Sequence, residues 1–405
     1  MDKSTNNLDI AIIGAGASGL ISSIFLLEQK FNITIFEKNN KVGKKLLATG
    51  NGRCNISNEN IHLSNFHTSG DKTLLKQVFH NFDFHKCKNF FNSIGVELIT
   101  SDNKRVYPMS QNSSSIVDSL EFKASNSGAK INLSSEITSI KYEKNKFILN
   151  DKFIFDKVII ATGSIAMPKL GSSDSGYKFA KDFGHNIIKP FASLVQLVSD
   201  TKDLDIISGV KIDGIVNNIR GDILFTKYGV SGSAILDISR EISKKLQYEK
   251  NIKLFIDVLP QFNKNKLTQI LTKRAETLGD KDIDIWLDGI INKKLSRYII
   301  KKSNINNSIK YAKFLNKKDI LKIVHTLKNL EFNIIGTKGF DYCEVCAGGV
   351  DLSQVNLNTM ESKIKKDLYF TGEVLDVDGD CGGYNLHFAW ASAYLASKAI
   401  KKDNI

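Results

Sequence analysis

The chain is poor in cysteine and has no apolar run of membrane length. Its five cysteines are an odd number without framework spacing, which excludes a disulfide scaffold and fits reduced thiols in a reducing compartment. No segment approaches the roughly 18 consecutive apolar residues of a spanning helix. The first nine residues are polar and lack the apolar core of a secretory signal. The expectation is a cytoplasmic protein without a membrane partner. Neither an internal repeat nor a low-complexity linker occurs. A single CxxC, Cys343 to Cys346, has no second pair to complete a zinc site, and it lies far from the first strand, against a disulfide-reductase reading. No metal is expected.

What is present is enough for real cores: 405 residues, 42% of them hydrophobic, a length that suits two or three domains. The formal net charge is +13, and it is unevenly spread. Arg240 to Lys328 holds 21 basic against 9 acidic residues, a surplus of 12, and from Lys293 to Lys328 there are 11 basic residues and one acid, Asp319. Two readings stand side by side. One is a solvated, lysine-rich helix face; the other is a surface that holds a polyanion such as a phosphate backbone.

The N-terminus carries the most informative motif. A strand-length run, Asp9-Ile10-Ala11-Ile12-Ile13, leads into Gly14-Ala15-Gly16-Ala17-Ser18-Gly19, and a second short strand, Ile33 to Phe36, ends on Glu37. In such a unit the first glycine permits the turn, the second lets backbone N–H groups approach a pyrophosphate, and the third lets the helix lie close to the sheet. The helix N-terminus faces the phosphates with its partial positive charge. Glu37 stands where a carboxylate accepts the hydroxyls of an adenosine ribose. The spacing therefore predicts a Rossmann-like α/β dinucleotide-binding unit.

Farther along, 72–94 and 113–127 read as helices, Lys130 to Leu149 as strands, and Val158 to Ala161 as a buried strand ending on Thr162-Gly163. Short β-like stretches with Gly/Asp turns follow from about 190. Between 260 and 328 the pattern is helical and basic, with Leu267, Ile270, Leu271 and Arg274 on one face. After Gly336 come glycine-rich loops, a strand from Leu368, and a C-terminal helix from about Leu386 to Lys401. The expected organisation is a discontinuous nucleotide-binding domain, 1–190 and 336–405. It would be interrupted by a small β domain, 191–259 and 326–335, and a basic helical insert, 260–325.

Three blocks carry a family likeness: Thr49-Gly50-Asn51-Gly52-Arg53-Cys54-Asn55, Leu224 to Gly232, and the tail from Ala347 to Tyr394 with Gly372-Glu373 and Gly382-Gly383-Tyr384-Asn385. With these the chain resembles the BaiN/RdsA family of NAD(P)/FAD-dependent oxidoreductases nearly end to end. The resemblance implies an FAD domain of glutathione-reductase type, assembled from both ends of the chain, with a β-barrel and an α-helical insert between them. It implies that Gly14, Ala15, Gly16, Ser18 and Gly19 hold the pyrophosphate and Glu37 with Lys38 the adenosine ribose. Gly50, Arg53, Cys54, Ile137, Ala161, Thr162 and Gly163 would line the FAD. Gly372 and Glu373 would meet the ribityl region, and Gly382, Gly383, Tyr384 and Asn385 the isoalloxazine ring.

Only one GxGxxG occurs, so NAD(P)H is expected as a transient reductant rather than a second resident cofactor. The family's activities include reduction of enones in bile-acid intermediates, oxidation of a small aminoketone, and reduction of uridine in ribosomal RNA. The two reductions add a hydride to the β-carbon of a C=C conjugated to a carbonyl and a proton to the α-carbon. That proton needs a donor. Cys54 and Tyr384 are the leading candidates, with Cys381 and His387 behind them. Against these stand packing roles: a small buried residue at 54, a ring against the flavin edge at 384, and a satisfied core histidine at 387. Ribosomal RNA, held through the basic insert with Tyr298 and Tyr311 available for stacking, is the favoured substrate. A small-molecule reductase or amine oxidase, and an RNA-binding assembly factor with structural FAD, remain the alternatives.

Overall fold

A computed structural model describes residues 8–28, 31–101 and 103–402; most of the polar N-terminal stretch considered above, residues 1–7, lies outside the described residues. The chain divides into two compact units, 1–192 with 343–405, and 193–342.

The first unit is built on a seven-stranded sheet. Its parallel centre runs Leu368–Phe370, Lys157–Ile160, Asp9–Ile13, Asn32–Phe36, Lys130–Asn132, and the two short strands Val355–Asn356 and Glu361–Ser362 extend it antiparallel at one edge. The central strand reads as an unbroken apolar run because both of its faces are covered. Helix Ala17–Leu27 packs against the C-terminal helix Tyr384–Lys402, so the two ends of the chain share one core.

Three expectations change here. The stretch 72–94 is not one helix: Leu75–Asn81 and Phe84–Ser93 are separated at Phe82-Asp83, and the Asp83 carboxylate caps the second by accepting from Lys86 N–H. The C-terminal helix begins two residues early, at Tyr384. The segment Val345–Val350, read as glycine-rich loop, is a fully buried strand pairing with Ile187–Ser193.

The second unit is a closed six-stranded barrel, ordered Leu197–Ser199, Gly229–Ser231, Ile219–Thr226, Lys211–Val216, Ile252–Asp257, Leu330–Thr337. Helices Lys264–Thr277, Lys293–Lys302 and Lys317–Lys328 share a single hydrophobic cluster with the barrel. Gly336 therefore falls inside the last barrel strand. Leu267 and Leu271 are buried, and Arg274 on the same face donates to the carbonyls of Trp286 and Asp288. No helix among the described residues is long and apolar enough to cross a membrane.

The tight first turn makes a prediction about two neighbouring glycines. A Cβ on Gly19 would sit 1.9 Å from the Gly14 carbonyl oxygen, whereas one on Gly16 would meet nothing within 4 Å. Gly19→Ala is expected to cost at least the ~1–3 kcal/mol of an overpacked core and Gly16→Ala well under about 1 kcal/mol, as read by urea denaturation. Equal midpoints would show that the helix does not lie against the turn.

Candidate FAD site

The N-terminal cradle forms as the spacing predicts. Gly14 adopts φ +107° and approaches the end of strand Lys157–Ile160 so closely that a Cβ would stand 2.5 Å from the Ala161 carbonyl oxygen. Gly16 is the N-cap of the first helix; no side chain caps it and no acidic residue occupies the first turn. Its N-terminal N–H groups thus keep their partial positive charge without a side-chain acceptor. Glu37 is buried, with one carboxylate oxygen accepting from Ala15 N–H (2.9 Å) and the other from the Asn39 backbone and side-chain N–H groups (2.9 and 2.6 Å). These bonds fix the carboxylate, and its remaining lone pairs are free for a ribose diol.

Opposite ends of the sequence meet beside this cradle. Ser18 Oγ donates to the Thr371 carbonyl (3.3 Å), and Gly372, at φ +73°, packs where a Cβ would strike Ser18 Oγ at 2.8 Å. Thr162 and Gly163 continue from Ala161, and Gly163 opens onto free space. Two buried oxygens of the neighbouring segment, Thr371 Oγ1 and Asp376 Oδ1, have no hydrogen-bond partner, an unmet polar demand of the kind a ribityl chain satisfies. The residues present fit FAD: open backbone at the phosphate turn, an oriented carboxylate, and unsatisfied buried oxygens.

A second cluster joins the Gly-Asn-Gly-Arg-Cys-Asn and Gly-Gly-Tyr-Asn blocks. With its side-chain amide oriented to satisfy its neighbours, Asn55 donates to the carbonyls of Ser57 (3.0 Å) and Val106 (3.1 Å) and accepts from Gly383 N–H (3.0 Å). Asn58 Nδ2 donates to the Gly382 carbonyl (3.1 Å). Gly383 is at φ +95°, and a Cβ there would lie 2.3 Å from the Ser57 carbonyl oxygen. Asn385 is bonded twice to the Gly379 backbone (2.8 Å each), closing the loop that precedes the C-terminal helix.

His387, one turn on, is fully buried. Its Nε2 faces the Phe82 carbonyl (3.1 Å) and so carries the proton, leaving Nδ1 to accept from Ser57 O–H (2.9 Å). Burial holds its pKa down to about 4. It is a neutral structural clamp.

The remaining candidates have surroundings of their own. Cys54 is fully buried in the core, in the left-handed region at φ +58°, and burial pushes its thiol up to about 12. Its place is that of a packed small residue, not of a group that meets a substrate. Arg53 is exposed, its guanidinium 4.8 Å over the Tyr107 ring. Ile137 is a core residue, and Lys38 is half-buried beside Glu37. Glu373 is committed to Lys45 Nζ (2.6 Å) and Cys346 N–H (2.9 Å), so it braces the Gly372 turn rather than offering a free carboxylate. Gly50, at φ +58°, is required by the loop, since a Cβ would stand 2.9 Å from Asn55 N. Tyr384 is largely buried, edge-on to Phe66 at 5.7 Å. Cys343 and Cys346 are both buried thiols, and among the described residues no metal-ligand cluster occurs.

Sequence reasoning missed one pair. His67 Nε2 lies 2.7 Å from Asp380 Oδ1, and Asn65 Nδ2 holds the other carboxylate oxygen at 3.1 Å. The short strands Phe66–His67 and Asp378–Gly379 bring them together. Separated by 313 positions, they leave no spacing signal; only the acid's place just before the Gly-Gly-Tyr-Asn block pointed here.

Fold and site together define a Rossmann-type FAD-dependent oxidoreductase. The family model for the HI0933-like protein Rossmann domain matches residues 8–399, and the chain belongs to that family. It is 33% identical over 404 residues, 96% of this chain and 98% of the relative, to a 3-dehydro-bile acid delta(4,6)-reductase from Clostridium scindens. It is 30% identical over 410 residues, 97% and 98% of the two chains, to a ribosomal RNA dihydrouridine synthase from Haemophilus influenzae. Among solved structures it is similar to a 3-ketosteroid delta1-dehydrogenase from Sterolibacterium denitrificans, with TM-score 0.56 over 98% of this chain and 100% of that one. At 11% identity that likeness shows the fold alone. The BaiN/RdsA likeness read from the motifs holds.

The histidine clamp predicts acid sensitivity. The folded-state pKa lies below the unfolded value near 6.5, so the unfolded chain binds the proton more readily between these limits. The stabilisation is complete above about pH 6.5 and is lost as pH falls toward 4, by about 3 kcal/mol. Denaturation midpoints at pH 7 and 4.5 should show this loss in the native protein and a smaller one in His387→Gln. An equal loss in both would place the acid sensitivity elsewhere.

Proposed function

We propose that this protein reduces a uridine of ribosomal RNA to dihydrouridine, with NAD(P)H as the transient reductant. The observation that supports it most is the basic surface of the 193–342 unit. Helix Lys293–Lys302 buries Leu295, Tyr298 and Ile299 and exposes Lys293, Lys294, Arg297 and Lys301; helix Lys317–Lys328 exposes Lys317, Lys318 and Lys322. Some cations are used internally: Arg274 on carbonyls, Lys328 on Asp257 and on the Leu259 and Phe262 carbonyls. The exposed remainder is what a phosphate backbone would meet. A steroid or an amine gains nothing from it.

Bound FAD supplies hydride transfer. The chain's own task is to hold the unstacked base and deliver a proton to C5, the carbon α to the C4 carbonyl, while C6 receives the hydride. Tyr384 is the donor favoured by its place in the Gly-Gly-Tyr-Asn block, and the His67–Asp380 pair is the open acid–base group beside it. Cys54 and His387 are too deeply buried for the task. Tyr298 is core and does not stack on RNA, whereas Tyr311 is exposed.

A second reading, reduction of a conjugated small-molecule enone, is favoured by the likeness to the bile-acid reductase. The chemistry is the same and only the substrate differs. Ribosomal RNA from a strain lacking this protein, probed for dihydrouridine, is expected to lose the modification at one site; an unchanged profile would reject the RNA reading.

The donor is tested separately. With enzyme pre-reduced by NAD(P)H, Tyr384→Phe should slow reoxidation by substrate about 10²-fold without slowing reduction, and Cys54→Ala should change neither. Normal reoxidation in Tyr384→Phe would move the role to His67.

A further inference from the structure

The basic unit contains a cleft that nothing above uses. It measures about 510 Å³ and lies along helix Lys293–Lys302, between the 3-10 turns Leu204–Ile206 and Ile283–Ile285 and the 305–309 segment. Its floor is apolar, with Ile206, Ile300 and Ile305 contributing, and its rim carries Lys294, Arg297 and Lys301. Two of these cations are anchored: Lys294 Nζ to the Ser208 carbonyl (3.2 Å) and Lys301 Nζ to Asp203 (2.8 Å). Arg297 is exposed and has no protein partner among the described residues. Anchored lysines around an unpaired guanidinium make a cationic rim whose geometry is set before any ligand arrives, which lowers the ordering cost of binding.

We propose that this cleft takes one unpaired nucleotide of the RNA, its base on the isoleucine floor and its phosphate on Arg297 and the flanking lysines. The inference rests on the RNA reading above and adds a site to it. Four features carry it. The volume falls within the ~300–1,000 Å³ range of small-ligand pockets. An apolar floor under a cationic rim matches the two halves of a nucleotide, a flat base and an anion, and matches neither bare phosphate nor a neutral apolar ligand. Asp284, also on the lining, repels a phosphate from its side and so orients the nucleotide with its anion toward Arg297. The amide of Asn306, whose Oδ1 accepts from Ser308 N–H (2.9 Å), keeps its N–H₂ available to base carbonyls. The site would fix the RNA through a base outside a duplex, the usual mode of recognition for folded RNA.

The test uses the FAD-loaded full chain and a fluorescent single-stranded RNA 12-mer of mixed sequence, titrated by anisotropy at several salt concentrations. Two variants alter the cleft: Arg297→Gln with Lys301→Gln, and Ile309→Glu, which sets a carboxylate on the lining. A third, Lys317→Gln with Lys318→Gln, removes charge from the next helix. Melting midpoints confirm folding. The expected result is binding at least tenfold weaker in both cleft variants, with the salt slope reduced by about 1 to 2 in the arginine variant, and a smaller loss in the third. Competition by uridine monophosphate but not by inorganic phosphate would show that base and anion are read together. If both cleft variants bind as tightly as the native protein while the Lys317 and Lys318 variant does not, the cleft assignment is overturned and the RNA reading stands. Absence of any RNA binding by the native protein overturns both. Occupation of the cleft by a steroid carboxylate that RNA does not displace also overturns the assignment.

Discussion

The fold of the FAD-binding unit depends on one seam of hydrogen bonds, where residues 55–58 meet residues 382–390. This unit is assembled from both ends of the chain, and the intervening 193–342 unit contributes nothing to its sheet. Asn55 and Asn58 satisfy the backbone of Gly382 and Gly383, Ser57 bonds His387, and Trp390 Nε1 donates to the Ile56 carbonyl at 2.9 Å. Each bond contributes only about 1 kcal/mol net. Leaving any of these buried partners unpaired would cost more, so the seam is a constraint on sequence: glycine at 383, small polar groups at 55, 57 and 58, a neutral imidazole at 387. Two of the blocks that carried the family likeness are thus two halves of one structural joint.

That joint explains why residues that look chemical turn out to be architectural. Cys54 lies inside the loop that turns toward the seam; His387 spans it; Asn385 satisfies the Gly379 N–H just before it, and Glu373 the N–H of Cys346. The atoms left for a cofactor are mostly backbone and unsatisfied oxygens around Gly14 to Gly19, Thr162 to Gly163 and Thr371 to Asp376. This division is what a nucleotide cradle requires. Close approach of the backbone recognises the phosphates, and side chains behind it hold the backbone in place.

Legibility in the sequence followed the range of the interactions. The strand, glycine turn, helix and Glu37 were readable because the whole unit spans fewer than thirty residues and each glycine has a local steric reason. The short strands of the β domain were readable from their Gly/Asp turns, whereas their closure into a barrel was implied only by the family resemblance. The helix break at Phe82-Asp83 was missed because the apolar pattern continues across it, although Asp83 is a good N-cap. The strand Val345–Val350 was missed because its glycines, Gly348 at φ +87° and Gly349 at φ +137°, look like loop residues; they are there because the backbones of Lys189 and Leu375 come too near for a side chain. The His67–Asp380 pair and the burial of Cys54 depend on contacts between distant segments, and no local pattern encodes them.

The most direct measurement is the flavin content of the native protein. Visible absorbance of the purified chain, with the released cofactor identified by mass, should give one FAD per polypeptide. Protein that is colourless as purified and takes up no FAD on incubation would contradict the account at its base.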